Sequence, residues 1–387
     1  MMREYKYAIV GGGAAAATAA EAIRSRDNDG SLAIFTREWA PPYQRPPLSK
    51  EFLQNRAPLL DALMFPASWY LEKNVELHTG VDVVRIDPTR RILETKGGEI
   101  GYRRLLLATG ALPRTLNIPG LDLDGVYTLR NYLDAERLRG VRSSAQRVVL
   151  IGSGFIGMEV AASLRSGGCE VTVVEITDAL YARFGAEVSA YAKSLFDRHG
   201  VETIFQTSVA SIEGKERVTG VTLSDGRRIE ASAVVVGVGV AADVALAEAA
   251  GLRVDDGIVV DDRLRTSVPD VYAAGDVARF PGIAGRPIRV EHFDNAHSAG
   301  ACAGANMAGA DEAYRYVPFF WSDVFELSFE FVGDPAAESK IVQGTLQSGS
   351  FVVEYRDHDR LCGALLAQRP SEERDVYRDR FAKAAAP

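Results

Sequence analysis

The chain has 387 residues, enough for two or three domains, and its 47% apolar and 25% charged content is ordinary for a globular protein. That balance excludes a disordered chain, a collagen-like repeat and a small disulfide scaffold. Its 44 basic and 52 acidic residues leave a net charge of −8, a poor basis for binding nucleic acid non-specifically or for adhering to anionic membrane.

Cys169, Cys302 and Cys362 stand far apart without CxxC spacing, and no histidines have metal-ligand spacing. Neither a disulfide framework nor a metal site is expected. There is no apolar run of the roughly 18 residues that a membrane span needs. The first strand-like run begins at Tyr5 and leaves no room for a signal peptide, so a cytoplasmic protein is expected.

Tyr5 to Val10 is an apolar run, and Gly11-Gly12-Gly13-Ala14-Ala15-Ala16 follows it. A helical pattern then covers Ala17 to Arg24, and a second apolar run covers Leu32 to Phe35. The order strand, glycine turn, helix, strand is a βαβ unit of dinucleotide-binding type. It recurs as Arg147 to Ile151, Gly152-Ser153-Gly154-Phe155-Ile156-Gly157, a helical Met158 to Arg165 and the run Val171 to Val174. In each unit the first glycine (Gly11, Gly152) permits the turn. The second (Gly13, Gly154) lets backbone approach a pyrophosphate. The third position (Ala16, Gly157) must be small for helix and strand to touch. Free N–H groups at the helix start would face the phosphates.

The residue ending the second strand of such a unit binds a ribose. In the second unit this is Glu175, whose carboxylate accepts from both ribose hydroxyls and repels a 2′-phosphate, favouring NADH over NADPH. In the first unit the segment reads Thr36-Arg37-Glu38, and Glu38 is the better ribose ligand. One chain with two dinucleotide sites suggests two cofactors that exchange electrons.

Further motifs follow in chain order: Pro42-Tyr43-Gln44-Arg45-Pro46-Pro47-Leu48-Ser49-Lys50, Leu105 to Gly110, Tyr272 to Ala278, Arg289-Val290-Glu291-His292 and Phe320-Trp321-Ser322-Asp323. Together with the two turns they resemble the two-dinucleotide flavoproteins of glutathione reductase type. Within that superfamily the chain is most similar to oxygenase-type ferredoxin and rubredoxin reductases and apoptosis-inducing factor. Its Arg37-Glu38 pair and the segments Pro318 to Phe320 and Phe325 to Ser328 also resemble monodehydroascorbate reductase. The fold implied is α/β, with two Rossmann-like domains and a C-terminal α+β domain. Expected limits are 1–114 and 243–312 for a discontinuous FAD domain, 115–242 for an inserted NADH domain, and 313–387 for the last domain.

The resemblance implies residue roles. Gly11, Gly13, Ala16, Glu38, Val83, Ala108, Thr109, Gly110 and Gly275 would line FAD. Arg45 and Arg130 would meet its phosphates and ribityl chain. Asp276 would accept from the ribityl chain, while the helix expected directly after it would face the pyrophosphate. Gly152, Gly154, Phe155, Ile156, Gly157, Glu175 and Gly239 would line NADH. Lys50, paired with Glu159, would lie beside flavin N5. Glu291 and His292 would lie near flavin and nicotinamide, although His292 equally reads as a core histidine. Trp321 would edge the isoalloxazine ring, although it too reads as a core aromatic. With no cysteine before Cys169, a dithiol relay beside the flavin is not expected, so electrons would leave FAD directly.

The implied activity is NADH oxidation through FAD to a one-electron acceptor. A small iron–sulfur protein is the leading acceptor, and a small radical such as monodehydroascorbate is the alternative. A slowly turning, NADH-responsive binding protein is the reading from another class. The chain would act as a monomer or homodimer. Lys340 to Gly344 and Phe351 to Tyr355 alternate as antiparallel strands, and the Ala382 to Pro387 tail is expected to fray.

Overall fold

The computed structural model describes residues 2–144, 147–282 and 286–384. Its first sheet runs Val75–Thr79, Leu32–Thr36, Arg3–Val10, Gly98–Leu107, all parallel. The long strand Gly98–Leu107 has two neighbours on its far side. Its first half pairs with Ile92–Thr95, which pairs in turn with Val83–Asp87. Its second half pairs with Val271–Ala273, so the chain returns to this sheet after a long excursion. Strands buried on both faces need no alternation, which is why Leu32–Thr36 is apolar almost throughout.

The excursion builds a second parallel sheet in the order Glu202–Ile204, Glu170–Val174, Arg147–Ile151, Ala233–Val236, Val126–Tyr127. The chain leaves along Ala111–Pro113 and comes back along Val240–Ala242, and these two segments pair antiparallel. The third sheet is antiparallel, in the order Phe319–Val324, Leu327–Gly333, Arg360–Ala367, Ser350–Asp357, Ser339–Thr345. The expected strand pair at 340–344 and 351–355 therefore lies at its outer edge.

Packing ties the third sheet to the second. Phe320, Phe329, Phe331, Val353, Tyr355 and Leu365 share one buried cluster with Leu150, Val160, Leu164, Phe184 and Phe196. Each such side chain gains about 1.5–3 kcal/mol on burial, so the two sheets stabilise one another. Helix Ala14–Arg24, on the first sheet, instead meets helix Phe293–Met307 through small residues. A Cβ on Gly300 would lie 2.3 Å from the Ala15 carbonyl oxygen, and one on Gly304 would lie 2.3 Å from that of Ala19.

Three expectations change. The helices begin at Ala14 and Phe155, one turn earlier than the helical patterns, because Gly13 and Gly154 sit at their extended N-cap positions. No helix follows Asp276 directly. The chain turns there into strand Ala278–Pro281, and the next helix is Phe293–Met307. Finally, helix Ser371–Ala384 runs into the tail that was expected to fray, anchored by buried Phe381. Residues 385–387 lie outside the described residues.

Candidate active site

Both glycine turns are shaped by contacts that exclude a side chain. Gly11 has φ +131°, and a Cβ there would lie 2.0 Å from the Ala108 carbonyl oxygen. On Gly12 it would meet Thr36 Oγ1 at 2.2 Å. Gly152 has φ +97°, and a Cβ there would lie 2.6 Å from the Gly237 carbonyl oxygen, while one on Gly157 would lie 2.8 Å from the Gly152 carbonyl oxygen. By contrast, nothing lies within 4 Å of the Cβ positions of Gly13 and Gly154, the two residues at the helix starts. That open space, over helix ends with no side-chain cap and no acidic residue in the first turn, suits a phosphate. The turns open on one shared cavity of about 1,950 Å³, larger than the roughly 300–1,000 Å³ of a single small-ligand pocket.

All but three of the residues expected at the cofactor sites line this cavity. Ala16 and Gly152 stand behind it as packing positions. Glu175 is buried beside the second turn, where Ser153 N–H donates to one carboxylate oxygen at 2.7 Å and Thr177 N–H to the other at 2.8 Å. Burial raises its pKa, but these N–H donors outweigh burial and hold the carboxyl below its usual range.

In the first unit Glu38 accepts from Tyr43 Oη and from Arg45 at 2.7 Å. Arg45 also donates to the Arg130 carbonyl, and Arg130 pairs with Asp276 at 3.1 Å. The two arginines expected to meet phosphates are thus already matched by two carboxylates. Burial, with Arg45 close by, pulls the pKa of Arg130 down, and its buried Nε atom has no partner. A polar atom in that state on the cavity wall fits an anionic or hydroxyl-bearing ligand. Arg37 reaches across to Asp243 at 2.8 Å.

The same cavity is lined by a cluster around Lys50. The segment Pro42 to Lys50 is pinned by Tyr43 and Leu48, which pack with Phe52 and Ala135. The turn Pro46–Ser49 then places Lys50 Nζ 2.8 Å from Asp323 and 3.4 Å from Glu159. Glu159 is buried on helix Phe155–Ser166 and accepts from Ser49 Oγ at 2.5 Å and Ser322 Oγ at 2.7 Å. Burial pushes its pKa up against the pull of Lys50. For Lys50, burial lowers the pKa, but Glu159 and Asp323 together outweigh it and keep the ammonium charged. The Nζ atom lies 5.5 Å from the centre of the Trp321 ring, within cation–π range. Ser49, Ser322 and Asp323, which complete the cluster, lie in the same sequence motifs as Lys50 and Trp321, but the motifs alone assign them no role.

Also lining the cavity, Glu291 pairs with Arg289 at 2.5 Å. The His292 ring stands 4.8 Å from that of Phe320, and its Nδ1 is buried without a partner. Burial drives its pKa down to about 4, so it is neutral at physiological pH. The three thiols lie in separate parts of the molecule. Cys169 is buried under the second sheet, Cys302 is on helix Phe293–Met307, and Cys362 alone reaches the cavity wall. Among the described residues no helix is long and apolar enough to cross a membrane.

Two nucleotide-type turns facing one cavity that charged side chains also line define an oxidoreductase that brings two cofactors together. Comparison with known families agrees. Residues 5–300 match the pyridine nucleotide-disulphide oxidoreductase family, and the chain belongs to it. It is 39% identical to rhodocoxin reductase of Rhodococcus erythropolis, over 94% of this chain and 86% of that protein. It is 38% identical to the ferredoxin–NAD(+) reductase component of the anthranilate 1,2-dioxygenase system of Burkholderia cepacia, over 90% and 86%. Among solved structures, putidaredoxin reductase in its covalent complex with putidaredoxin is similar at a TM-score of 0.92 and 32% identity, covering 96% of this chain and 92% of that one.

Proposed function

We propose that this protein is an FAD-dependent NADH oxidoreductase that passes electrons to a small iron–sulfur protein of ferredoxin type. The observation that carries this reading is the single cavity onto which both glycine turns open and which Lys50, Glu159 and Trp321 also line. The acceptor class is supported by relatives named as reductases of rhodocoxin, ferredoxin and putidaredoxin.

In this reading the first turn, with Glu38, Arg45, Val83, Ala108 to Gly110, Arg130, Gly275 and Asp276, holds FAD. The second turn, with Phe155, Ile156, Glu175 and Gly239, holds NADH. The domain limits 1–114, 115–242, 243–312 and 313–387 belong to the same reading, as does a cytoplasmic location. FAD, when bound, supplies the conversion from two-electron to one-electron transfer. The residues do the rest. Lys50, kept charged between two carboxylates, presents a fixed positive charge to the cavity. Glu159 holds that ammonium in place through a fully hydrogen-bonded carboxylate, the condition under which a buried pair is worthwhile. Glu291 and the neutral His292 complete the lining beside Phe320. Glu175, with both oxygens already oriented, selects a ribose without a 2′-phosphate. Trp321 stands where electrons leave.

The test is stopped-flow reduction by NADH, followed by reoxidation against ferredoxins, rubredoxin, ascorbate radical and oxygen. Non-covalent FAD, fast reduction and fastest reoxidation by an iron–sulfur protein are expected. A chain that releases no flavin on denaturation after reconstitution would sink the proposal. Fastest turnover with ascorbate radical would move it to the radical-reducing class, and a long-lived reduced form with altered oligomeric state to the sensor class.

A further inference from the structure

Lys50 has two carboxylate neighbours of different character. Glu159 is a fully buried side chain fixed by two serine hydroxyls, and its distance to Lys50 Nζ is 3.4 Å. Asp323 is 42% exposed, and yet it makes the shorter contact, 2.8 Å. Strand Phe319–Val324 explains the arrangement. Alternate side chains of a strand point to opposite faces. Phe320, Ser322 and Val324 are buried, with Ser322 reaching Glu159, while Trp321 and Asp323 share the other face. The Lys50 ammonium is held against that second face, touching Asp323 and lying 5.5 Å from the Trp321 ring centre.

We propose that Asp323 is a positioning residue that holds the Lys50 ammonium on the Trp321 side of the cavity and thereby lowers the reduction potential of the bound flavin. The proposal rests on the flavin reading above. One ammonium between two carboxylates leaves a local charge of −1, and Coulomb interactions are strong where water is scarce. A flavin gains negative charge on two-electron reduction, so that excess opposes reduction. Removing the Asp323 charge leaves a neutral Lys50–Glu159 pair. Removing the Lys50 charge also removes the pull that opposes burial at Glu159, so that carboxyl takes up a proton and Asp323 alone keeps the local charge at −1. The other titratable group facing Glu159 is Tyr181, which burial keeps protonated and neutral. Asp323 does not owe its place to packing, since it is half-exposed and its partner lies 273 residues away in the chain.

The experiment uses the purified flavoprotein and two readouts that need no turnover. The first is the titration of Lys50, followed by NMR of protein carrying isotope-labelled lysine and assigned through Lys50→Arg. The second is the flavin midpoint potential, from spectroscopic redox titration. Asp323→Asn is expected to lower the Lys50 pKa, because the Asp323 contact that helps to raise it is lost, and to shift the midpoint positive. Asp323→Glu keeps the charge and should leave both near wild type, and Lys50→Met, in which Glu159 takes up a proton, should not reproduce the positive shift. If Asp323→Asn fails to fold, Asp323→Ser against Asp323→Glu makes the same comparison. An unchanged Lys50 titration and midpoint in the neutral variant would overturn the proposal, as would an equal positive shift in Lys50→Met. A chain that binds no flavin would defeat the flavin reading, while the Lys50 titration would still decide whether Asp323 positions the ammonium.

Discussion

The two glycine turns follow one local plan and are held by opposite kinds of packing. Helix Ala14–Arg24 is backed by helix Phe293–Met307, with Gly300 and Gly304 set directly on the Ala15 and Ala19 carbonyls. Contact of that kind is backbone against backbone and has no side chain that can move aside. Helix Phe155–Ser166 is backed by aromatic rings, with Phe155 4.5 Å from Phe320 and 5.6 Å from Tyr181. Rings can tilt and slide, and Ile156 beside them is half-exposed on the cavity wall. The first turn is thus backed by contacts that no side-chain movement can relieve, and the second by rings that can repack.

The sharpest way to break this comparison is to add one small side chain on each side. Gly300→Val should force the first helix pair apart, costing about 3 kcal/mol or more and abolishing FAD retention. Gly154→Ala meets no atom within 4 Å, so its stability should stay within roughly 1 kcal/mol of wild type while NADH binding weakens. Thermal unfolding with flavin content measures both, and equal destabilisation would dissolve the contrast.

The next largest effect concerns the cluster around Lys50. Lys50→Ala leaves Glu159 buried without its cation, at about 3 kcal/mol, and should slow flavin reduction on the order of a hundredfold. Trp321→Ala should leave reduction near wild type and slow reoxidation by the acceptor. Rapid-mixing measurement of each half-reaction tests the pair, and identical kinetic defects would mean that the two residues do not divide the work.

Glu175→Gln sharpens the nucleotide side. Loss of a charged hydrogen-bond acceptor should raise KM for NADH about tenfold and change KM for NADPH much less. The acid limb of the stability curve should change as well. The folded carboxyl titrates below its unfolded value, so its contribution is complete above about pH 4.3 and is lost as pH falls through the lowered folded value. Denaturant melts of the variant should lack that segment. His292 has the opposite sense for its type of group. Its folded pKa of about 4 lies under the unfolded value, so the unfolded chain takes up its proton first and stability declines as pH falls from about 6.5. An imidazole resonance that titrates near neutrality would contradict this.

The smallest effect is expected from replacing Cys169, Cys302 and Cys362 by serine together. Both half-reactions should stay close to wild type, with a stability cost of about 1 kcal/mol from the buried Cys169 site. A folded, flavin-loaded variant unable to reduce its acceptor would return a thiol to the electron path.

What could be read from the chain alone was whatever depends on neighbours in sequence. A turn with φ +131° that presses on a carbonyl admits only glycine, so Gly11 and Gly152 announce themselves, and with them the two βαβ units and the strand-end acids Glu38 and Glu175. The motif resemblance extended that reading to Lys50, Glu159 and Trp321. The helix assumed after Asp276 failed because a Gly-Asp turn sets only its own backbone, and the residues beyond it pair with Ile258–Val259 and Pro287–Arg289 as a strand. Only the tertiary structure decided that Arg45 and Arg130 are matched by Glu38 and Asp276, that the third sheet shares its core with the second, and that Asp323 takes Lys50 from a distance of 273 residues. The physical reason is the range of the forces involved. Backbone sterics and strand periodicity act over a few residues and leave their mark in the sequence, whereas charge pairing and aromatic packing act through space between segments that the chain order does not bring together.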